Sequence, residues 1–474
     1  MVALILIALL VAAVWGIVYL LRGSLIAGAL CAMIAAACLG HPFFHYDAGG
    51  LPLTIDRVVV AVVVAAYLVQ RVLGRTDPKP LGWADAALLA LIAMLVVSGS
   101  CVGWAGSRQE PYVTFWRLVN GYLTPFALYW VVRQAPLGRS QVALVQGVLV
   151  GLGVYLGVTG ILEVTGQWWA VFPKHIADPE VGLHFGRARG PMVHAVSFGL
   201  YVGICALATW VYRWRFGGVG RSVLMLLLPL MLTGLVCSFT RSVWIGMAVA
   251  TLIVLCLTLS GLRRWWLLGS VAAAGLLLAT TQMEALMSFQ REDSATDSRR
   301  SVSMRGSFAY VSWRMFLDRP LLGVGFGQFR EAKLPYLDDR RTDLDLESIR
   351  DYIHHNTFLS LLTETGLLGL TLYLALLALW ARDAWVLTRS PLSPDWARGQ
   401  GILFLGVLGI YVSQAMFHEL TYSPIDNSLV FLLAGLTVGL RERMPLHHTL
   451  STFGNIGLGP AVRSHNGSFS RAAR

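Results

Sequence analysis

The residues best placed for chemistry in this chain are one histidine and a handful of arginines beside the starts of apolar runs. His355 and Asn356 stand in His354-His355-Asn356-Thr357-Phe358-Leu359, directly after the longest polar stretch and at the mouth of an apolar segment. Imidazole has the unperturbed pKa that lets it take a proton near neutral pH, and a membrane-water boundary is where a lipid-borne substrate meets a soluble one. Arg241 lies in Ser238-Phe239-Thr240-Arg241-Ser242, and Arg187 and Arg189 lie in Gly186-Arg187-Ala188-Arg189-Gly190-Pro191. Arg305 opens a stretch running through Trp313 to Asp318 and Pro320, with aromatic and aliphatic spacings suited to a helix on a membrane surface. A guanidinium stays charged and can hold two phosphate oxygens at once, and the free amides at a helix start also favour an anion. A base and fixed anion clamps are therefore the chemistry on offer.

Each of these residues has a plainer reading. Arg241 could snorkel to headgroups or sit in a structural ion pair, Arg189 could be a solvated loop position, and His355 could simply cap a helix. His354 points elsewhere on a helix. His41, His45 and His418 lack a zinc-ligand spacing, so no metal site is expected. Asp343-Leu344-Asp345 sits among Asp338, Asp339, Glu347 and Asp351 and reads as a solvated face. Glu364, inside an apolar run, needs a partner within the bundle. Gly323, Gly325 and Gly327 follow a helix and a proline rather than a strand, so close backbone packing explains them better than dinucleotide binding.

The elements that must position these groups are membrane helices. With 56% hydrophobic and 13% charged residues and a mean hydropathy of +0.64, the chain cannot be an ordinary soluble domain. About 12 to 13 apolar runs are long enough to span, which predicts an all-α polytopic membrane helix bundle. Residues 1–281 hold the first ten runs, with an outer loop near 163–190; residues 282–355 form a large outer loop containing helices; residues 356–440 hold the last spans. Residues 441–474 form an inner tail, rich in Gly, Ser, His and Arg and expected to be disordered. The first run lacks a basic start and a cleavage site and reads as a retained helix.

Alternate loops collect the arginines, among them Arg75, Arg133, Arg139, Arg213, Arg215, Arg264, Arg389 and Arg443. The positive-inside rule assigns that set to the cytoplasm and places His355, Arg241, Arg305, Arg187 and Arg189 on the outer side. The net charge of +11 thus reflects topology and contact with anionic membrane lipids, and nucleic acid is not an expected partner. All six cysteines fall inside apolar runs and read as packing residues.

As a set, these motifs resemble the O-antigen ligase and polymerase superfamily of bacterial membrane glycan transferases. The resemblance rests on Ser238-Phe239-Thr240-Arg241-Ser242, on Arg305 followed by Trp313 and by Pro320 to Phe329, on His355-Asn356-Thr357-Phe358-Leu359, and on Glu364 to Gly369. Gly186 to Pro191 matches an upstream arginine motif more loosely, with Met192-Val193-His194 where relatives often have a Phe and an Asn-rich turn. The resemblance implies a glycosyltransferase C-like scaffold in the inner membrane that moves a glycan from an undecaprenyl-pyrophosphate carrier to an acceptor hydroxyl at the periplasmic face. The transfer would invert the sugar and need no metal or other cofactor.

By motif position, His355 would be the base, with Arg241 and Arg305 catalytic and, together with Arg187 and Arg189, binding the pyrophosphate. Acceptors within this class are lipid A core for a ligase, a growing glycan for a polymerase, or a protein hydroxyl for an O-oligosaccharyltransferase. The ligase-like reading is the one favoured. A transporter or flippase is the rival from another class, and it would place its charges near the midplane on broken helices.

Overall fold

In a computed structural model of the protein, residues 14–48, 51–104, 113–281, 295–422 and 424–444 are described. The expectations for the first residues of the opening run, for 282–294 and for the tail from 445 lie outside them. Helices dominate: α1 (Val14–Arg22), α2 (Leu25–Cys38), α3 (Ile55–Val72), α4 (Trp83–Val102), α5 (Val113–Leu118), α6 (Thr124–Gln134) and α7 (Arg139–Val164) come first. Then follow α8 (Ala195–Tyr212), α9 (Gly218–Cys237), α10 (Arg241–Thr258), α11 (Leu262–Thr281) and α12 (Ala295–Asp318). The short α13 (Phe329–Ala332) precedes α14 (Thr357–Arg389), α15 (Asp395–Ala415) and α16 (Pro424–Arg443). One antiparallel hairpin, β1 (His45–Ala48) with β2 (Leu51–Thr54), interrupts an otherwise all-α bundle.

Among the described residues, six helices are long and apolar enough to cross a membrane, and the bent pair α1–α2 would make seven. Helices α3, α6, α15 and α16 are shorter or more polar, yet they pack in the same bundle. Burial sorts the spans into layers. The stretch Ala195–Arg215 is 89% buried, whereas the spans of α9 and α10 are each 28% buried and turn Leu226, Val223 and Ile245 outward, as lipid-facing helices must. Helix α16 is equally central, buried without a break from Asp426 to Leu440. Small residues allow this closeness: a Cβ on Gly435 would lie 2.3 Å from the Tyr129 carbonyl oxygen, and one on Gly199 would lie 2.4 Å from Val243.

The two ends of the bundle differ in charge chemistry. At one end Arg133 pairs with Asp85 at 2.6 Å and Glu442 at 2.7 Å, Arg443 pairs with Asp77 at 2.8 Å, and Arg75 donates to the Leu21 carbonyl. These are the arginine-rich loops assigned to the cytoplasm. The other end carries His355, the turn before Arg241 and the 163–194 loop. There α12 lies under its own small core of Met304, Phe308, Val311, Met315, Phe329, Leu337, Leu346 and Ile349. Its helical spacing of buried residues, at 304, 308, 311 and 315, is the amphipathic pattern read from the sequence.

Candidate functional site

Four chain segments close over the outer end. The first is the tight turn between α9 and α10, where Phe239 adopts φ 44° and Thr240 donates to the Ser238 carbonyl, so that α10 begins directly on Arg241. The second is the Arg187 loop, tied to the end of α9 because the Ala188 amide donates to the Cys237 carbonyl at 2.9 Å. The third is the start of α14. Asn356 caps this helix through the Leu359 amide at 2.9 Å and donates to the Met416 carbonyl, while Thr357 donates to the His418 carbonyl and accepts from the Leu420 amide. The fourth is the 416–422 segment itself, which those bonds lace to α14.

Within this end Arg305 lies within reach of the charge of Arg241, His355 within reach of Arg305, and Arg187 meets His355 only through His184. Arg305, on α12, stacks its guanidinium over Phe417 at 5.6 Å, and its proton affinity is lowered by desolvation and then by the like charge of Arg241. His355 packs edge-on to Phe308 at 5.2 Å and near Tyr352 at 6.1 Å, leaving it partly exposed. Burial first, then the positive charges of Arg305 and Lys333, push His355 below the ordinary imidazole value, with Glu419 acting in the opposite sense. A neutral imidazole with a free lone pair is the form that can accept a proton.

Three further histidines, none of them a candidate site residue from the sequence, lie here. His418 shares a hydrogen bond of 2.9 Å with Ser242, next to Arg241, and Ser242 reaches Gln414 at 3.1 Å. Burial pushes His418 down to about 3, with His194, Arg305, His355 and His184 adding to the effect. His184 and His194, with ring centroids 5.3 Å apart, are each lowered to about 4, desolvation being the main cause; Arg187 contributes at His184. His194 also caps α8 by accepting from the Ser197 amide. The signal available in the sequence was position alone: His184 and His194 flank the Arg187 motif, and His418 lies in an outer loop.

Arg189 does not join the cluster as a clamp. It is buried rather than solvated, and its guanidinium is committed to the carbonyls of Val181 at 2.5 Å, Ile176 at 2.9 Å and Asp178 at 2.5 Å. Its backbone amide and that of Gly190 donate to Glu163. Those bonds make Arg189 the brace of the 163–190 loop that presents Arg187. With both terminal nitrogens donating to carbonyls and only Nε without a partner, the Arg189 guanidinium has little left for the pyrophosphate expected of it from the sequence.

His354 is likewise structural, bonded to Ser312 at 2.7 Å and packed on Phe329 at 4.3 Å in the small outer core. Lys333 anchors the same strand of chain by donating to the Ile349 carbonyl at 2.6 Å and to the Tyr352 carbonyl. Asp343 and Asp345 are exposed, as expected of a solvated face.

Beneath the cluster lies a feature built from the glycines. Helix α14 breaks at Gly366, with φ 64° and ψ −162°, and the 320–325 segment fills the break: the Val324 and Gly325 amides donate to the Thr363 and Glu364 carbonyls, and the Leu367 amide to that of Pro320. A Cβ on Gly323 would sit 2.4 Å from the Glu364 carbonyl carbon, and one on Gly366 equally close to that of Leu321. The partner that Glu364 needed is Arg117, fully buried, which also donates to Ser360 and Thr421, lies 3.6 Å from Glu419, and stacks on Phe326 and Tyr422.

No curated protein sequence matches the chain. A family model described as O-antigen ligase matches residues 226–374, a segment that contains Arg241, Arg305, His355, the glycine-filled break and Glu364. Over this segment, about a third of the chain, the multi-pass membrane protein is thus similar to the O-antigen ligase family.

Proposed function

We propose that the protein transfers a glycan from an undecaprenyl-pyrophosphate carrier to an acceptor hydroxyl at the periplasmic face of the bacterial inner membrane. His355 takes the acceptor proton as its oxygen attacks the anomeric carbon. The bond from that carbon to the pyrophosphate breaks with its electron pair on the leaving oxygen, and Arg241 and Arg305, with Arg187 at the edge, hold the growing negative charge. One displacement inverts the sugar carbon. The observation that carries this reading is the shared electrostatic neighbourhood of Arg241, Arg305 and His355, which come from three segments far apart in sequence. A ligase-like acceptor is favoured, since the family model is that of an O-antigen ligase.

One observation speaks for the transport reading: α14 is broken beside the buried Arg117 and Glu364. Against it, the Arg117 guanidinium is engaged by Ser360, Glu364 and Thr421, so it is poorly placed to bind a passing anion. The decisive experiment incubates purified protein with a defined undecaprenyl-pyrophosphate glycan and, separately, lipid A core, a glycan chain and a serine peptide, with and without a chelator. A new glycoconjugate with inverted linkage is expected. Movement of the carrier between leaflets without any new conjugate would favour transport instead.

A further inference from the structure

At the arginine-rich end of the bundle, opposite His355, a cavity of about 330 Å³ opens between α7, the end of α8 and the start of α15. Its lining includes Arg139, Arg215, Trp214, Trp396, Gln146 and Asp395. Arg139 and Gln146 are seven residues apart on α7 and so lie on one face, with Gln146 about 10 Å deeper. The mouth is thus cationic and the floor is an amide.

The floor is what singles this cavity out. Gln146 is 1% exposed, yet neither its carbonyl oxygen nor its amide nitrogen has a hydrogen-bond partner among the described residues. Leaving both ends of a buried amide unpaired is costly, and such a group is expected to meet something in the space it faces. At the mouth, Arg215 spends one nitrogen on the Arg139 carbonyl at 3.4 Å and has its other terminal nitrogen unpartnered. Asp395 does not neutralise the pair, because its side chain is 99% exposed and reaches towards Arg398. The start of α7 at Arg139 and the start of α15 at Asp395 add their positive dipole ends to the same opening. Two indoles on the walls suit a level where headgroups meet acyl chains.

We infer that this cavity binds a phosphoglycerol headgroup of an anionic phospholipid, Arg139 and Arg215 holding the phosphate and the Gln146 amide meeting a headgroup hydroxyl. The site shares no residue with the proposed glycan-transfer centre, so it stands or falls separately. A tightly held lipid here would brace α7 against α15 and orient the bundle in an anionic leaflet.

The test is native mass spectrometry of the full-length protein extracted from nanodiscs of phosphatidylcholine mixed with phosphatidylglycerol. The wild type is expected to retain phosphatidylglycerol over phosphatidylcholine. Arg139→Ala/Arg215→Ala should lower that retention about tenfold or more, as loss of charge-assisted bonds predicts. Gln146→Leu should lower retention of phosphatidylglycerol but spare phosphatidic acid, offered in a parallel nanodisc, which lacks the headgroup glycerol and its alcohol hydroxyls. Soluble glycerol phosphate supplies the other source of the same chemistry: displacement of the lipid by it would identify a soluble ligand, and failure to displace would identify the lipid. Equal retention of both lipids by the wild type, a reading independent of any variant's folding, would overturn the proposal. So would unchanged phosphatidylglycerol retention in the double variant.

Discussion

Arg117 and Glu364, which are 247 residues apart in sequence, meet at 2.5 Å inside the bundle with essentially no solvent exposure on either side chain. Glu364 is seven residues into α14, about 10 Å below its outer end, and two residues before the break at Gly366. The pair therefore pins α5 to the broken helix under the candidate active site, and Thr421 ties the 416–422 segment to the same guanidinium.

Removing the cation should do more harm than neutralising the anion. Arg117→Ala leaves Glu364 and Glu419 buried without their shared partner, whereas Glu364→Gln keeps an acceptor for Arg117 and leaves Glu419 beside it. The expected loss for Arg117→Ala is about 3–5 kcal/mol, read as a drop in thermal unfolding temperature in detergent, with Glu364→Gln clearly milder. Equal effects would show that Glu419 contributes nothing to balancing Arg117.

For the proposed reaction, His355→Ala should lower transfer by about 10²–10⁴-fold and Arg305→Ala by about 100-fold, both with normal membrane insertion. The pH profile is the sharper measurement. Because Arg305 helps hold His355 below the ordinary imidazole value, the active neutral form persists as pH falls, and activity is lost only when pH passes through the lowered value. Arg305→Ala should move that acidic limb to higher pH, while Arg305→Lys, which keeps the charge, should leave it near the wild-type position.

Acid should destabilise the outer end. His184 and His194 at about 4 and His418 at about 3 all lie below the ordinary value of 6.5, so between 6.5 and those values the unfolded chain binds protons that the folded protein refuses. Stability is then fully present above 6.5 and declines as pH falls towards 4. Unfolding temperature measured from pH 7.5 down to 4.5 should follow this course. His418→Gln should flatten it; an unchanged slope in that variant would remove His418 from the effect.

The glycine-filled break should be intolerant of a single methyl group. Gly366→Ala puts a Cβ 2.4 Å from the Leu321 carbonyl carbon, in a backbone conformation that is nearly closed to other residues. A loss above about 1–3 kcal/mol is expected, seen as poor yield or a lowered unfolding temperature. Gly151→Ala is the contrasting substitution, since its Cβ would meet nothing within 4 Å, and it should be neutral or mildly stabilising.

Much of the scaffold is written in the sequence. The period of buried residues in α12, the arginine asymmetry between loops, and the need of Glu364 for a buried partner all follow from local pattern and from the cost of charge in lipid. The identity of that partner did not. Arg117 stands in no motif, and only the folded bundle brings it to Ser360, Glu364 and Thr421. Arg189 and Arg187 stand two residues apart in one motif, and the sequence offered a solvated loop as the plainer reading of Arg189. The loop path sends the first inward onto three carbonyls and leaves the second near His184.

By itself the sequence determined that this chain is an all-helical membrane bundle with a histidine and several arginines at one boundary, because hydropathy, helical period and charge bias are properties of neighbouring residues. Which of those arginines converge, that His354 is buried in the small outer core while His355 stays partly open, and that His418 and His194 join them were decided only by tertiary structure. Those facts depend on how distant segments pack and exchange hydrogen bonds, and no spacing along the chain encodes the direction in which a side chain leaves an irregular loop.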